Sequence, residues 1–585
     1  MPREVTPKSS LDNLKREAKR WLKALRAGDV DARSRFDGNH PHPPMTPGLR
    51  DVQHALAREH GLESWAALRT ELEDVALAAR GHGERVAEFL ELASLHYGVA
   101  PGTRSYSQYP EGPARRRQAA RILGRHPEVG RASIHTAVVC GDLTEVSRIL
   151  ATRPAAAAEM GGREGWEPLL FLCYGRLPVA AAQDNAVEIA RALLDHGADP
   201  NSHWSYEWDQ STMVWSALCG VIGDGERGPS LCPPHPASEP LAALLLDRGA
   251  DPNQGQALYN TMLRGDDDRW LRVLIARGLS ARDPITTRTG DERSVFEDLL
   301  GRAVEMNQLR RAAVLLEHGA NPNPSRGRSL YERALLGGSV EMAELLVRHG
   351  ARRSELTGRE AFRAACLRLD GETAERLLAS HPEYMEEGGA MLVDETAKRD
   401  LVDAARFLLT LGVSPDAEFM GPVGSYRALH QAACMNVTGV AALLIEHGAD
   451  VDARDGAVHA SPLGWALHTH MPATIEFFSR HSRDVLTLVA GGLTERLTAL
   501  LTENPDLANE SLRARVGLGT LSGEPEETPL FVLPADEEIA IEVAEVLLRF
   551  GADPTHRNRA GQTAVDKARA RGLEDLADLL ILERG

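Results

Sequence analysis

The chain has 585 residues, a net charge of −18, 43% hydrophobic and 26% charged residues. These values describe an ordinary globular composition and argue against broad nucleic-acid binding. No run approaches the 18 apolar residues a membrane span needs, so no membrane association is expected. The N-terminus lacks an apolar signal core, and the six cysteines show no CxxC spacing. They read as reduced thiols, which points to a cytoplasmic location.

In chain order, Ser10 can cap a helix over Leu11–Ala27, with Leu11, Leu14, Ala18, Leu22 and Leu25 on one face and Gly28 ending it. Residues 1–36 hold ten Lys and Arg against five acids, and four of the six lysines of the chain lie in this leader. A Pro-rich link at His40–Gly48 precedes a helix over Leu49–His60, and Ser64 starts another with Trp65 and Leu68 on its apolar side. Helices near Glu84–Tyr97 and Ala114–Leu123 flank a loop at Pro101–Pro113. Arg115, Arg116 and Arg117 cluster at a helix start, which the helix dipole disfavours, so an anion or an acidic partner is one reading and a solvated or salt-bridged cluster the better one.

Beyond Leu143 the chain repeats itself. GADPN ends an apolar helical run at Gly197–Asn201 and again at Gly249–Asn253, followed by GANPN at Gly319–Asn323, GADVD at Gly448–Asp452 and GADPT at Gly551–Thr555. The glycine suits a left-handed helix cap, Asp-Pro stops the helix, and the asparagine can bond local backbone. First helices follow, as in SIHTAVVC (Ser133–Cys140) and RALHQAAC (Arg427–Cys434). No pair buries its apolar faces alone; stacked neighbours bury them jointly.

These motifs resemble ankyrin repeats. RALHQAA is similar to the TPLHxA signature, with Arg427 and Ala428 in place of Thr and Pro; ASPLGWAL at Ala460–Leu467 and GQTAVDKARARG at Gly561–Gly572 are further variants. The leader is similar to one found ahead of ankyrin arrays in bacterial proteins. The resemblance implies an all-α ankyrin-repeat solenoid of about thirteen helix pairs with an N-terminal helical cap. The expected organisation is a leader over 1–80 that caps the first repeat, connecting helices over 81–130, and an array over 131–585.

Gly197 and Gly249 are 52 residues apart, where about 33 is the ankyrin period. The insertion, 202–236, is rich in aromatics. His203, Trp204, Tyr206 and Trp208 occupy a connector finger, Trp215 begins a first helix, and Asp224 and Glu226 sit on a glycine loop. Neighbouring units add Trp166, Tyr174, Tyr259, Asn260 and the run Asp266, Asp267, Asp268. Rigid aromatics beside acids suit a cationic or flat ligand, or a protein hot spot. Trp166 and Trp215 are expected in the core; Trp204, Tyr206 and Trp208 are expected exposed.

No dinucleotide fingerprint, Walker loop, HExxH or GxSxG motif occurs. No complete metal shell is visible and no cofactor is implied; Cys232 with His235 supplies two ligands only, and His459, His468 and His470 lack a fourth group. The favoured function is non-enzymatic recognition of a partner protein through the concave face of the array. The alternative is a small-molecule-binding protein or enzyme that uses the aromatic and acidic groove around 166–268; a nucleic-acid partner is the least favoured.

Overall fold

The computed structural model describes residues 3–582 apart from 4, 7–8, 96, 98–111, 209–210, 226–231, 287–291, 325–326, 422–423, 470 and 513–522. It divides into two compact units, one made of Met1–Arg3, Leu11–Trp65 and Glu355–Gly585, the other of Glu4–Ser10 and Ala66–Ser354.

Both units are stacks of short helix pairs. In the second unit the pairs run from Ile134–Cys140 with Leu143–Thr152 to Leu330–Leu336 with Val340–Arg348. In the first unit they run from Gly358–Leu367 with Gly371–Ser380 to Ala564–Ala570 with Glu574–Leu582. Counted along the described elements there are thirteen pairs, the penultimate one opening with a 3-10 turn at Pro529–Phe531. The pairs bury apolar side chains from both helices, as Leu429, Ala432 and Ala433 of Ala428–Cys434 and Ala441, Leu443 and Leu444 of Gly439–Glu446 do.

The glycine that ends each GADPN-type helix has positive φ: 93° at Gly197, 96° at Gly249 and Gly319, 91° at Gly448 and 85° at Gly551. The following Asp or Asn closes a local turn, as Asp199 does by accepting the Asn201 N–H at 2.8 Å. The last asparagine acts differently from the local role expected of it. Asn201 Nδ2 donates to Gly249 O at 2.9 Å and its Oδ1 accepts the Asp251 N–H at 2.8 Å, so it ties one repeat to the next. Asn323 does the same to Gly350 and Arg352, and Asn509 to Gly551 and Asp553. Where GADVD puts Asp452 at this position, no amide donor is available, and the Ser482 hydroxyl donates to it instead at 2.6 Å.

Three connectors lengthen into antiparallel hairpins: β1 (His203–Trp208) with β2 (Ser211–Ser216), β3 (Pro284–Thr286) with β4 (Glu292–Ser294), and β5 (Glu418–Gly421) with β6 (Gly424–Arg427). Trp215 therefore lies on β2, two residues before the first helix it was expected to begin.

The leader folds as α1 (Leu11–Arg26), α2 (Val30–Asn39) and α3 (Leu49–Glu59). Helix α2, not expected from the sequence, buries only Phe36 and is set by the Asp29 side chain capping the Asp31 and Ala32 N–H groups. Trp21 and Phe36 meet edge to face, and Arg35 lies over the Trp21 ring and pairs with Glu17 and Glu59. The described ion pairs of α1 and α3 with the array involve the last helices, where the first repeat was expected. Lys15 reaches Glu537 and Asp575, both at 2.8 Å; Lys19 reaches Asp575 and Asp578; Arg50 reaches Glu542 at 2.9 Å. The lysine concentration of the leader thus meets the acidic start of the terminal helix.

Candidate functional site

The aromatic residues singled out in the sequence come together, but as packing. Trp204 and Trp215 are directly paired across β1 and β2 and stack at 5.8 Å. Trp204 also stacks on Trp166 at 5.6 Å, Trp166 leans on Tyr174 at 5.2 Å, and Tyr97 stacks on Trp215 at 4.3 Å. Trp166, Tyr174 and Trp215 are buried. Trp204, expected to be exposed, is half-buried within this stack, because the hairpin folds its ring back between Trp166 and Trp215. The Tyr174 hydroxyl donates to Ser216 O at 2.9 Å, fixing the hairpin to the preceding repeat. The side chains of Tyr206 and Trp208, and all of Glu226, lie outside the described residues, as does His470.

The polar residues of this region are likewise turned inward. Arg176 is buried and donates to the carbonyls of Cys173, Gly175, Gly220 and Pro233; burial lowers its pKa to about 10. Asp224, with φ of 53°, is buried and pairs with Arg264 at 2.6 Å. Burial pushes the Asp224 carboxyl up, and the Arg264 charge opposes that shift. Asn260 is fully buried: Nδ2 donates to Gly223 O at 3.0 Å, and a Cβ on Gly225 would lie 2.8 Å from its Oδ1. Gly223 and Gly225 are therefore moulded onto Asn260.

Asp266, Asp267 and Asp268 do not form one anionic patch. Asp266 accepts the N–H groups of Arg310 and Arg311, Asp267 accepts the Arg269 N–H, and Asp268 pairs with Arg272 one turn on. Each is consumed in helix capping or an ion pair. Tyr259 is half-buried, and His203 is exposed. Of the Arg cluster, Arg115 is buried, donates to Glu91 O at 2.8 Å and lies 4.0 Å from the Glu91 carboxylate, so it is packed and salt-bridged, not solvated.

An open pocket lies elsewhere, where β6 meets the first helices Ala428–Cys434 and Pro462–His468. It has a volume of about 210 Å³ and is lined by Ser425, Tyr426, His430, Gln431, Cys434, Asp455, Ala457 and Trp465. Tyr426 and Trp465 are half-buried; Met420, near the tip of the same hairpin, is 78% exposed. Asp455 organises the pocket wall. Its Oδ1 accepts the Ala457 and Val458 N–H groups at 2.7 Å, and its Oδ2 accepts Ala460 N at 3.1 Å and Trp465 Nε1 at 2.9 Å. Burial pushes its carboxyl up, but these donors outweigh that and hold it below the usual range. His430 Nε2 contacts the Ala453 and Ala460 carbonyls, and burial lowers its pKa, so it stays neutral at neutral pH. Burial and then the Asp455 charge push the Cys434 thiol up to about 11.

This pocket is hidden in the sequence because its two aromatic walls, Tyr426 and Trp465, are 39 positions apart and neither lies in an aromatic-rich segment. The available signal was RALHQAAC followed by ASPLGWAL, two first helices in adjacent repeats. Among the described residues no group of three or more His, Cys, Asp or Glu is placed to hold a metal, and no helix is long and apolar enough to cross a membrane.

The helix pairs, hairpins and inter-repeat turns define an all-α ankyrin-repeat solenoid. The Ankyrin repeat family matches residues 426–456, the segment that carries most of the pocket. The chain is similar to Ankyrin repeat and SOCS box protein 6 of Mus musculus, 29% identical over 204 residues, which are 30% of this chain and 47% of that protein. It is similar to the Homo sapiens protein of the same name at 37% over 87 residues, 15% of this chain and 20% of that one. The match thus spans at most about half the length of these relatives. Among solved structures, the ankyrin repeat domain of human ASB11 aligns with 17% identity and a TM-score of 0.26, covering 44% of this chain and 99% of that domain.

Proposed function

We propose that the chain is a non-enzymatic recognition scaffold that binds a partner protein on the side built from hairpins and first helices, the concave side of an ankyrin array. The observation that carries this reading is that Met420, 78% exposed, pairs across the hairpin with Ser425, which lines an open, mostly apolar pocket formed by two adjacent repeats. An exposed apolar side chain beside a pocket walled by Tyr and Trp has the composition of a binding hot spot. The ankyrin architecture agrees with it, since a stack of repeats offers a continuous surface without chemistry of its own. The test is site-specific photocrosslinking in native lysate. A crosslinking residue at position 420 should capture a discrete partner, and one at Glu476, exposed on a second helix, should not. Equal capture at both positions would reject the assignment of the face.

A second reading, a small-molecule site or enzyme in the 166–268 region, is favoured by one observation. The buried Trp215 indole N–H and Tyr97 hydroxyl have no hydrogen-bond partner among the described residues, and Asp224 nearby in sequence holds a strained backbone. Unsatisfied polar groups and strain gather where ligands bind. A thermal-shift metabolite screen tests it: a stabilising compound whose effect is lost in Asp224→Asn would favour this reading over the first.

A further inference from the structure

We infer that the pocket between Tyr426 and Trp465 receives a cationic side chain, a lysine or arginine, of the partner protein. This rests on the recognition reading above and names what that site selects.

The first argument is size. A volume of about 210 Å³ falls below the roughly 300–1,000 Å³ of sites that enclose a cofactor or drug-sized ligand. One side chain is the occupant that fits.

The second argument is charge. The lining contains one carboxylate, Asp455, and no lysine or arginine. Asp455 is ionised at neutral pH and 2% exposed, so its field is little screened by water. The basic residues around the pocket are already paired with carboxylates: Lys398 with Asp394 at 2.8 Å, Arg454 with Asp484 at 2.8 Å, and Arg427 with Asp416 at 4.0 Å. Glu418, on the opposite strand of the hairpin, accepts the Ser425 hydroxyl at 2.5 Å and adds a second negative charge at the rim. His430 supplies no compensating charge, for the reason given above.

The third argument is the walls. Tyr426 and Trp465 are the residue types whose ring faces attract cations, and the phenol stays neutral because burial and the Asp394 charge push its pKa up. Trp465 is held by its own N–H donating to Asp455, so the ring and the carboxylate form one rigid unit. The apolar stem of a lysine or arginine would lie against Ala457 and Cys434 while its charged head is held by the rings and the carboxylate field.

The test is 19F NMR of the full chain carrying 5-fluorotryptophan, with the Trp465 resonance assigned from Trp465→Phe. The probes are N-acetyl-lysine methylamide, N-acetyl-arginine methylamide and the uncharged N-acetyl-norleucine methylamide. The expected result is a saturable shift of the Trp465 signal by lysine or arginine, with affinity about tenfold above norleucine, lost in Tyr426→Leu. Melting temperatures establish that the variant is folded; the free lysine amide must also leave the other tryptophan signals unmoved. Equal or tighter binding of norleucine would overturn the cationic assignment while leaving the pocket as a recognition site. No response of Trp465 to any probe would overturn both.

Discussion

The side chain of Asn201 spans two repeats, donating to the carbonyl of Gly249 and accepting the N–H of Asp251. A single amide satisfies one acceptor and one donor of the next turn, so the stacking register of neighbouring repeats is set by a side chain and not by apolar packing alone. The amide does this with separate atoms of one planar group, Nδ2 donating while Oδ1 accepts. Asn201→Ala should therefore cost about 1–2 kcal/mol, and Asn201→Asp nearly as much because the donor is lost. Chemical denaturation of each variant measures this; a change within about 0.3 kcal/mol for both would show the bridge to be idle.

The aromatic stack in the second unit should behave as core. Trp215→Ala removes a buried ring that touches Tyr97 and Trp204, and should destabilise by about 3–5 kcal/mol. Trp204→Ala should also be costly, in contrast to what an exposed finger residue would show. Thermal melts that leave Trp204→Ala indistinguishable from wild type would contradict the packing described.

Acid should weaken the fold before carboxylates titrate fully. Burial, aided by the Arg176 charge, depresses the His235 pKa to about 2, whereas an unfolded histidine takes its proton near 6.5. The unfolded chain therefore binds a proton that the folded chain refuses. This contribution is complete above about pH 6.5 and falls as pH drops below it, by about 1.4 kcal/mol per unit. His135 and His430, also depressed by burial, act in the same direction. His235→Asn, which can still accept the Ala237 N–H, should flatten the slope of stability against pH between 6.5 and 4.5. An unchanged slope would show that His235 is not the group refusing the proton.

The leader should stabilise the end of the array that it touches. Asp575 is buried and its cations are Lys15 and Lys19. Replacing both lysines by Ala leaves that buried carboxylate without these partners, at a cost of about 1–3 kcal/mol. Asp575→Asn in the double-lysine background should recover part of the loss. Additive effects of the lysine and aspartate changes would remove the coupling.

The repeat architecture was legible because GADPN-type endings and apolar helix faces recur along the chain, and each carries its own physical meaning. The leader helix α1 was legible from leucine spacing and α3 from the Pro-rich link before it and Gly61 after it, whereas α2 was not, since a single buried Phe36 gives no periodicity. Where the leader docks was hidden: Lys15 and Asp575 are 560 positions apart, and nothing local pairs them. The candidate site was misplaced for a related reason. Aromatic density at 204–215 marks a place where rings pack on one another, and Trp166, Tyr174 and Trp215 are buried for that reason. Tyr426 and Trp465 become neighbours only when two repeats stack, so their pocket has no signature in either repeat alone.

The most direct test of recognition through this face is quantitative capture from native lysate by four forms of the full chain: wild type, Met420→Asp, Tyr426→Leu and Glu476→Ala, each first confirmed to melt within a few degrees of wild type. The account expects one set of proteins retained by wild type and Glu476→Ala and lost, by at least about tenfold, from Met420→Asp and Tyr426→Leu, since truncating a hot spot costs more than about 1.4 kcal/mol. Retention of that set by Met420→Asp and Tyr426→Leu together would contradict it.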